Sequence, residues 1–119
     1  LSGNNFTLDA VINETHSLNL LVDTGASVSA IPSDYFEKIR NDTQPVYLGT
    51  LAVHTANGNV NALRYRFRSL SLHGVEVQDV EILVMDNLPP QQGLLGMNVL
   101  GQFPFRIDQE KSLLLLNSH

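Results

Sequence analysis

Alternating apolar and polar residues, interrupted by tight-turn signals, are the feature that most restricts the fold of this chain. Residues 6–12 alternate with the period of a half-buried strand. Asn57-Gly58 stands between two further alternating runs, and a tight hairpin turn with positive φ favours this dipeptide. His73-Gly74 predicts a second hairpin in the same way. The pattern as a whole therefore predicts a mainly β domain.

Other segments complete this prediction. Pro32-Ser33-Asp34 predicts the start of a short helix over Tyr35–Arg40, with Ser33 as its capping residue. Residues 93–103 predict a buried turn, a glycine and a second short helix. Val80–Met85 and Leu113–Leu116 are apolar enough for two further strands.

Composition narrows the function classes. The chain has 119 residues, which we interpret as a single domain over residues 1–119, and its net charge of −5 argues against nucleic acid as a partner. Cysteine is absent, and the four histidines lack metal-ligand spacing, so we expect no metal and no other cofactor. Because the sequence begins at Leu1 without a methionine, we expect it to be a fragment of a longer chain. A missing segment could carry an export signal or an anchor, so a periplasmic or membrane-anchored location stays open.

A charged residue follows the most apolar early strand. Leu18–Val22 predicts a strand buried on both faces, and it runs directly into Asp23-Thr24-Gly25. A charge at such a position is costly unless it is paired or hydrogen-bonded. One interpretation is an Asx-type turn, in which Asp23 accepts a bond from its own downstream backbone. That turn accounts for the glycine, but it does not explain why so apolar a strand should lead into an aspartate.

Two motifs carry a family resemblance. The stretches LLVDTGASVSAIP (20–32) and GLLGMNVLGQF (93–103) together resemble the retropepsin-like aspartic proteases, the single-lobe relatives of pepsin that include the retroviral enzymes. The chain looks most similar to the bacterial members, and the resemblance runs from Phe6 to Leu116. It implies a closed acid-protease-type β-barrel lobe with one or two short helices. It also implies a hairpin that covers the substrate, the flap, whose tip falls here at Asn57-Gly58.

The resemblance also implies roles for individual residues. Asp23 would be the catalytic residue of an aspartic endopeptidase, supported by Thr24 and Gly25 in the same loop. A peptide or protein substrate would bind in extended form. The resemblance implies substrate contacts at Ala26, Ser27, Ala56, Asn57 and Gly58. It also implies that a second motif, Leu94, Leu95 and Gly96, supports the catalytic loop.

One departure from the retroviral pattern concerns a buried ion pair. In those enzymes an arginine follows the glycine of the second motif and pairs with an acidic residue two positions after Asp-Thr-Gly. This chain has Met97 and Ser27 at the two positions. Both charges of the pair are absent together. This is expected, because losing only one of them would leave an unpaired buried charge, at a cost of several kcal/mol.

A single Asp-Thr-Gly implies two chains. Two carboxylates that share one proton activate the water in this family, and of the seven aspartates only Asp23 is followed by Thr-Gly or Ser-Gly. The second carboxylate must then be Asp23 of another copy, so the resemblance implies a homodimer. Leu113–Leu116 would form part of an intersubunit sheet or, alternatively, an ordinary core strand.

Two other hypotheses remain open at the level of sequence. The first is a catalytically inactive peptide-binding or dimerisation module on the same fold. The second is a β-rich interaction domain in which Asp23 only caps a turn.

Overall fold

The computed structural model of the chain describes residues 6–55, 58–89, 91–103, 105–108 and 113–116. Strands dominate it, as the alternation predicts, and two short helices accompany them. In chain order the elements are β1 (Thr7–Ile12), β2 (His16–Val22), β3 (Ser29–Pro32), α1 (Ser33–Thr43), β4 (Val46–Thr55), β5 (Gly58–Leu72), β6 (Val75–Met85), β7 (Gln92–Leu95), α2 (Met97–Leu100), β8 (Phe105–Asp108) and β9 (Leu113–Leu116).

Seven of the strands form one sheet that closes on itself. Their order is β1-β2-β7-β3-β6-β5-β4, and β1 also pairs with β5, through Ala10–Leu72 to Ile12–Leu70. The six strands from β1 to β5 in this order therefore make a closed barrel, while β4 lies outside it at the free side of β5. This confirms the closed β-barrel that the resemblance implies.

The two predicted hairpins both have turns with positive φ. His73 and Gly74 have φ of 49° and 80°, which is the left-handed pair that a two-residue hairpin between β5 and β6 requires. The hairpin of β4 and β5 is also confirmed. Its last pair is Thr55–Gly58, so Ala56 and Asn57, which lie outside the described residues, connect the strands. Gly58 begins β5 with φ of 111°, a conformation that favours glycine.

Helix α1 begins differently from the prediction. Ser33 is the first helical residue rather than the cap, and Pro32 occupies the cap position without a side-chain hydrogen bond. The reason is that Pro32 ends β3 in extended conformation, where it pairs with Met85, so the chain turns into the helix one residue early. The helix then continues past Arg40 to Thr43 and buries Phe36 and Ile39.

One apolar cluster fills the barrel, and a smaller one lies on the opposite face of its strands. The first, the main core, contains residues from all six barrel strands and from both helices. The second cluster consists of Ala30, Ala62, Leu83 and Met85, and three of these residues line the groove described below. Strand β2 was predicted to be buried on both faces, and this is wrong for the single chain. Leu18 and Leu20 are buried, but Leu21 and Val22 are only half-buried, because a barrel strand turns one face inward.

The last two strands stand apart from the barrel sheet. β8 and β9 pair only with each other in the described part of the chain, from Phe105–Leu116 to Asp108–Leu113. The strand at Leu113–Leu116 is thus confirmed, and within the described residues it forms no ladder with the barrel sheet. Within the described ranges, neither helix has the length and apolarity needed to cross a bilayer.

Candidate active site

Asp23 lies in a tight loop at the end of β2. Its backbone N–H donates to Leu95 O at 3.0 Å, and its carbonyl accepts the N–H of Ala26 at 3.1 Å. The carboxylate atom Oδ1 accepts the N–H of Gly25, also at 3.1 Å. The Asx-type turn considered from the sequence therefore forms, and it fixes the orientation of the carboxylate.

Parallel pairing of β2 with β7 places the second motif beside this loop. Leu21 and Val22 pair with Leu94 and Leu95, so both strands end at the same edge of the barrel. Helix α2 starts there, and its first two N–H groups, which have no partner within the helix, donate back into the loop. Met97 N–H bonds Ala26 O at 2.8 Å, and Asn98 N–H bonds Ser27 O at 3.0 Å.

Gly96 allows the two loops to approach this closely. A Cβ atom at residue 96 would lie 2.6 Å from the carbonyl carbon and 2.7 Å from the carbonyl oxygen of Val28. Both are backbone atoms, so no side-chain rotation could relieve the overlap. A glycine is thus required here by packing, whereas Gly25 has open space beside it: its added Cβ would meet nothing nearer than Asp23 Oδ1 at 3.4 Å.

The sequence interpretation missed a partly buried polar network under the loop. Asn98 Oδ1 accepts from the N–H and the hydroxyl of Ser29, at 2.8 and 2.9 Å, and its Nδ2 donates to Glu81 O at 2.8 Å. Ser29 Oγ in turn accepts the N–H of Gly96 at 2.9 Å. One amide side chain thus joins α2, β3 and β6. A serine inside an apolar strand signals a buried bond, but its partner lies 69 residues away.

The missing ion pair has an apolar replacement on one side. Met97 packs against the main core, and Ser27 is exposed in the groove described next. No charge is therefore left unpaired at either position, in agreement with the compensation argument.

A groove of about 510 Å³ opens above Asp23. Its floor is the Asp23 loop. Its roof is the flap, described over residues 51–55 and 58–62, whose Val53 and Val60 pack against the second cluster. Among the described lining residues, Asp23 is the one acidic side chain. The full lining is Asp23, Gly25, Ala26, Ser27, Val28, Ala30, Leu51, Ala52, Val53, His54, Leu83, Met85, Asn87, Leu88 and Leu94.

The structure brings most of the predicted site residues together. Asp23, Gly25, Ala26, Ser27 and Leu94 line the groove. Leu95 and Gly96 are buried behind it, Thr24 is exposed at the loop apex, and Gly58 is exposed at the start of β5. Ala56 and Asn57 lie outside the described residues. In the described ranges, no cluster of three or more His, Asp or Glu side chains could hold a metal ion.

One ion pair lies at the junction of floor and roof. Arg64 of β5 donates through Nε to Glu81 Oε2 at 2.8 Å and through Nη2 to Oε1 at 3.3 Å. The Arg64 guanidinium, chiefly through this hydrogen bond, lowers the pKa of the Glu81 carboxyl below its ordinary value. The backbone carbonyl of the same Glu81 accepts the bond from Asn98.

Comparisons with known proteins agree on one family of proteins. The family described as "gag-polyprotein putative aspartyl protease" matches residues 8–102. Among solved structures, a retropepsin-like aspartic protease from Rickettsia conorii is 32% identical, with a TM-score of 0.73, over 98% of this chain and 84% of that one. No curated protein sequence matches significantly.

Two viral proteases share the fold at lower identity. The EIAV protease, solved in complex with the inhibitor HBY-793, is 22% identical with a TM-score of 0.68, over 85% of this chain and 89% of that one. The protease of simian foamy virus (mac) is 21% identical with a TM-score of 0.56, over 81% of this chain and 92% of that one.

Proposed function

The chain belongs to the retropepsin-like aspartic protease family, and on that premise we propose that it is an aspartic endopeptidase that works as a homodimer. The observation that carries the proposal is the position of Asp23. Its carboxylate is oriented by the loop on the floor of an apolar groove, beneath a hairpin that can cover an extended peptide.

The groove supports the need for a second copy. Direct attack of water on a peptide bond by general acid–base catalysis uses one group to take a proton from the water and another to give a proton to the carbonyl oxygen. Among the described residues that line the groove, Asp23 is the one carboxylic acid. A two-fold axis through the loop apex would supply the other from the partner's Asp23, and exposed Thr24 and Gly25 would then meet their counterparts.

The proposed chemistry follows from the proximity of the two carboxylates. Like charges about 3 Å apart cannot both ionise, so the pair holds one shared proton. The ionised carboxylate takes a proton from the bound water, and the water oxygen attacks the carbonyl carbon of the substrate at the same time. The other member protonates the carbonyl oxygen, and a later proton transfer to the nitrogen releases the amine. Activity should therefore fall as rising pH removes the shared proton, which gives a mildly acidic optimum.

The remaining loop residues have supporting roles in this proposal. Thr24 would brace the two loops against each other through its hydroxyl. Gly25 has no positive φ and no crowded neighbour within its own chain. Its lack of a side chain would therefore serve the substrate or the partner loop, which must approach the backbone there.

Substrate would bind between floor and roof as an added strand. Main-chain groups at Ala26 and Ser27 and the flap tip around Ala56, Asn57 and Gly58 would hold its backbone. Leu94 and the other apolar lining residues would contact its side chains. Closure of the flap would exclude water from the scissile bond.

Cleavage of a peptide library by wild type and by Asp23→Asn, between acidic and neutral pH, tests the proposal. We expect Asp23→Asn to lower kcat/KM roughly 10³-fold or more, because an amide can neither accept nor return the proton. Asp79→Asn is the matched control, since Asp79 is exposed and Asn tolerates its left-handed φ of 55° equally well. Activity that survives in Asp23→Asn would exclude Asp23 as the catalytic group.

Mixing the two proteins tests the shared site. If each site needs Asp23 from both copies, a 1:1 mixture in subunit exchange should show about half the activity expected from its wild-type content. Undiminished activity would mean that one chain suffices. A dimer that binds extended peptides at every pH but cleaves none would instead support the inactive binding module.

A further inference from the structure

The face of the sheet that carries the second cluster continues past the groove into charged residues. Arg64 of β5 pairs directly with Leu83 of β6, which lines the groove, and Arg66 pairs with Glu81. Residues directly opposite each other in antiparallel strands have their side chains on the same face. Arg64 therefore lies beside the apolar wall of the groove, and Arg66 lies two residues farther along the same face.

Two guanidinium groups face one carboxylate at this end of the groove. The Glu81 carboxylate accepts its hydrogen bonds from Nε and Nη2 of Arg64, not from its cross-strand neighbour Arg66. Arg66 is exposed and forms no ion pair with any residue that the structure describes. The local charge is thus positive, although the chain as a whole has a net charge of −5.

The Arg64 side chain keeps part of its hydrogen-bonding capacity. A guanidinium carries five N–H donors, and Nη1 takes no part in the two bonds to Glu81. Nη1 is the nearest atom to a Cβ added at Gly49, at 3.9 Å, so the space between the two residues is open. The Arg64 side chain is 36% exposed. Its free donors are therefore accessible to a second carboxylate.

The next charges along this face do not neutralise Arg66. Arg68 pairs with Glu14 at 3.6 Å. Asp79 lines a cleft together with Arg66 and Arg68, but it forms no ion pair with either arginine in the described part of the chain. Arg66 is therefore the unpaired positive charge on the face that leads away from the groove.

We propose that Arg64 and Arg66 form a distal subsite of the groove, which binds an acidic side chain of the substrate several residues from the scissile bond. An extended peptide advances about 3.3 Å per residue, so its later side chains pass Leu83 and reach the two arginines. The planar guanidinium donors match the two oxygens of an aspartate or glutamate side chain.

Two-fold symmetry doubles this subsite. In the homodimer, each chain contributes one pair of arginines, so one subsite lies at each end of the groove. The preferred substrates therefore carry acidic residues on both sides of an apolar centre. This inference rests on the proposed function for cleavage, whereas binding of an acidic peptide requires no catalysis.

Paired peptides test the subsite. In one member of each pair a glutamate is moved position by position away from the scissile bond, and in the other member glutamine replaces it. At about pH 6, where a glutamate side chain is ionised, we expect one distal position on each side to raise kcat/KM roughly two- to fivefold. The preference should weaken as salt is added, because the contact is partly exposed. Equal cleavage of both peptides at every position would overturn the subsite.

Substitutions should change the glutamate preference in opposite directions. Arg66→Gln should remove most of it, and Arg66→Lys should retain part of it, because the charge remains. Glu81→Gln should increase it, because the competing carboxylate is lost and the Arg64 donors are released. Arg66→Glu should reverse it in favour of lysine at the same position.

Arg40→Gln is the matched control for the loss of one positive charge. Arg40 lies on α1 against Phe36, which packs on Tyr65 and so on the other face of β5. The control should leave the glutamate preference unchanged. An unchanged preference in Arg66→Gln, or an equal loss in Arg40→Gln, would contradict the assignment.

A binding assay separates this inference from the proposed function. Fluorescence anisotropy is measured with Asp23→Asn protein and labelled peptides that have a centre of leucine and alanine and either glutamate or glutamine at both ends. The glutamate peptide should bind two- to fivefold more tightly, and adding Arg66→Gln should abolish the difference. If wild type cleaves no peptide, the proposed function fails, while this difference still supports the subsite. Equal binding, or no binding of either peptide, would overturn it.

Discussion

The floor and the roof of the groove are held by different forces. The floor, which is the Asp23 loop, is held against the second motif and α2 by short hydrogen bonds that are at least partly buried and by a glycine packed against backbone. The roof, the flap, is a two-stranded projection whose inner valines pack on a small apolar cluster. A hydrogen bond is directional, and its stabilisation is lost completely when one partner is removed. The stabilisation from apolar contact instead falls in proportion to the buried area that is lost. Substitutions of the groups that hold the floor in place should therefore disrupt folding, and roof substitutions should change affinity gradually.

Two glycines give the largest contrast. Gly96→Ala should lower the free energy of unfolding by about 3 kcal/mol or more, because the new Cβ collides with Val28 backbone. Gly25→Ala should leave the free energy of unfolding nearly unchanged and yet lower peptide cleavage strongly. Thermal denaturation and cleavage assays on both variants measure this. Equal stability of the two variants would contradict the assigned packing role of Gly96.

Asn98 should show the next largest effect. Asn98→Ala removes an acceptor for two Ser29 donors and a donor to Glu81 O, so we expect a loss of about 2–4 kcal/mol of unfolding free energy. Gln102→Ala, which removes one exposed hydrogen bond to the same helix, is the control and should cost far less. Urea denaturation of both variants measures this difference. Similar denaturation midpoints for Asn98→Ala and Gln102→Ala would mean that the network does not stabilise the fold.

The roof should respond in affinity rather than stability. Val60→Ala removes part of a half-buried contact, so we expect about 1 kcal/mol or less in unfolding free energy and a two- to fivefold rise in KM, both rough values from the apolar area lost. The neighbouring Asn61→Ala, on the exposed side of the same strand, should leave KM unchanged. A large drop in melting temperature for Val60→Ala would remove the distinction between floor and roof.

The smallest effect should come from the ion pair at their junction. Arg64 lowers the pKa of Glu81, so its contribution is present at neutral pH and is lost as pH falls through the lowered folded-state pKa. Glu81→Gln should thus reduce stability slightly at pH 7 and not at all once wild-type Glu81 is protonated. The pair is partly exposed, which keeps the effect small. Denaturation across pH, with Glu37→Gln as the exposed control, tests the pH dependence.

Sequence patterns predicted the strands and helices of this chain more reliably than they predicted helix boundaries and strand burial. The hairpins, the two helices and the order of the two motifs follow from local residue choice, because turns and strand periodicity depend on neighbours in sequence. The capping role of Ser33 was wrong, since pairing of Pro32 with Met85 fixes where the chain leaves β3. The burial of β2 on both faces was wrong for a similar reason: barrel closure decides which face points inward.

The sequence by itself determined that Asp23 ends an apolar strand in a glycine-containing turn, and that a second apolar-Gly motif follows. Only the tertiary structure decided that the two motifs share hydrogen bonds and that Asn98 joins them to Ser29 and Glu81. Turn and strand preferences act over a few residues, so a short stretch of sequence is enough to predict them. Bonds between residues tens of positions apart depend on how the barrel closes, which no short stretch of sequence specifies.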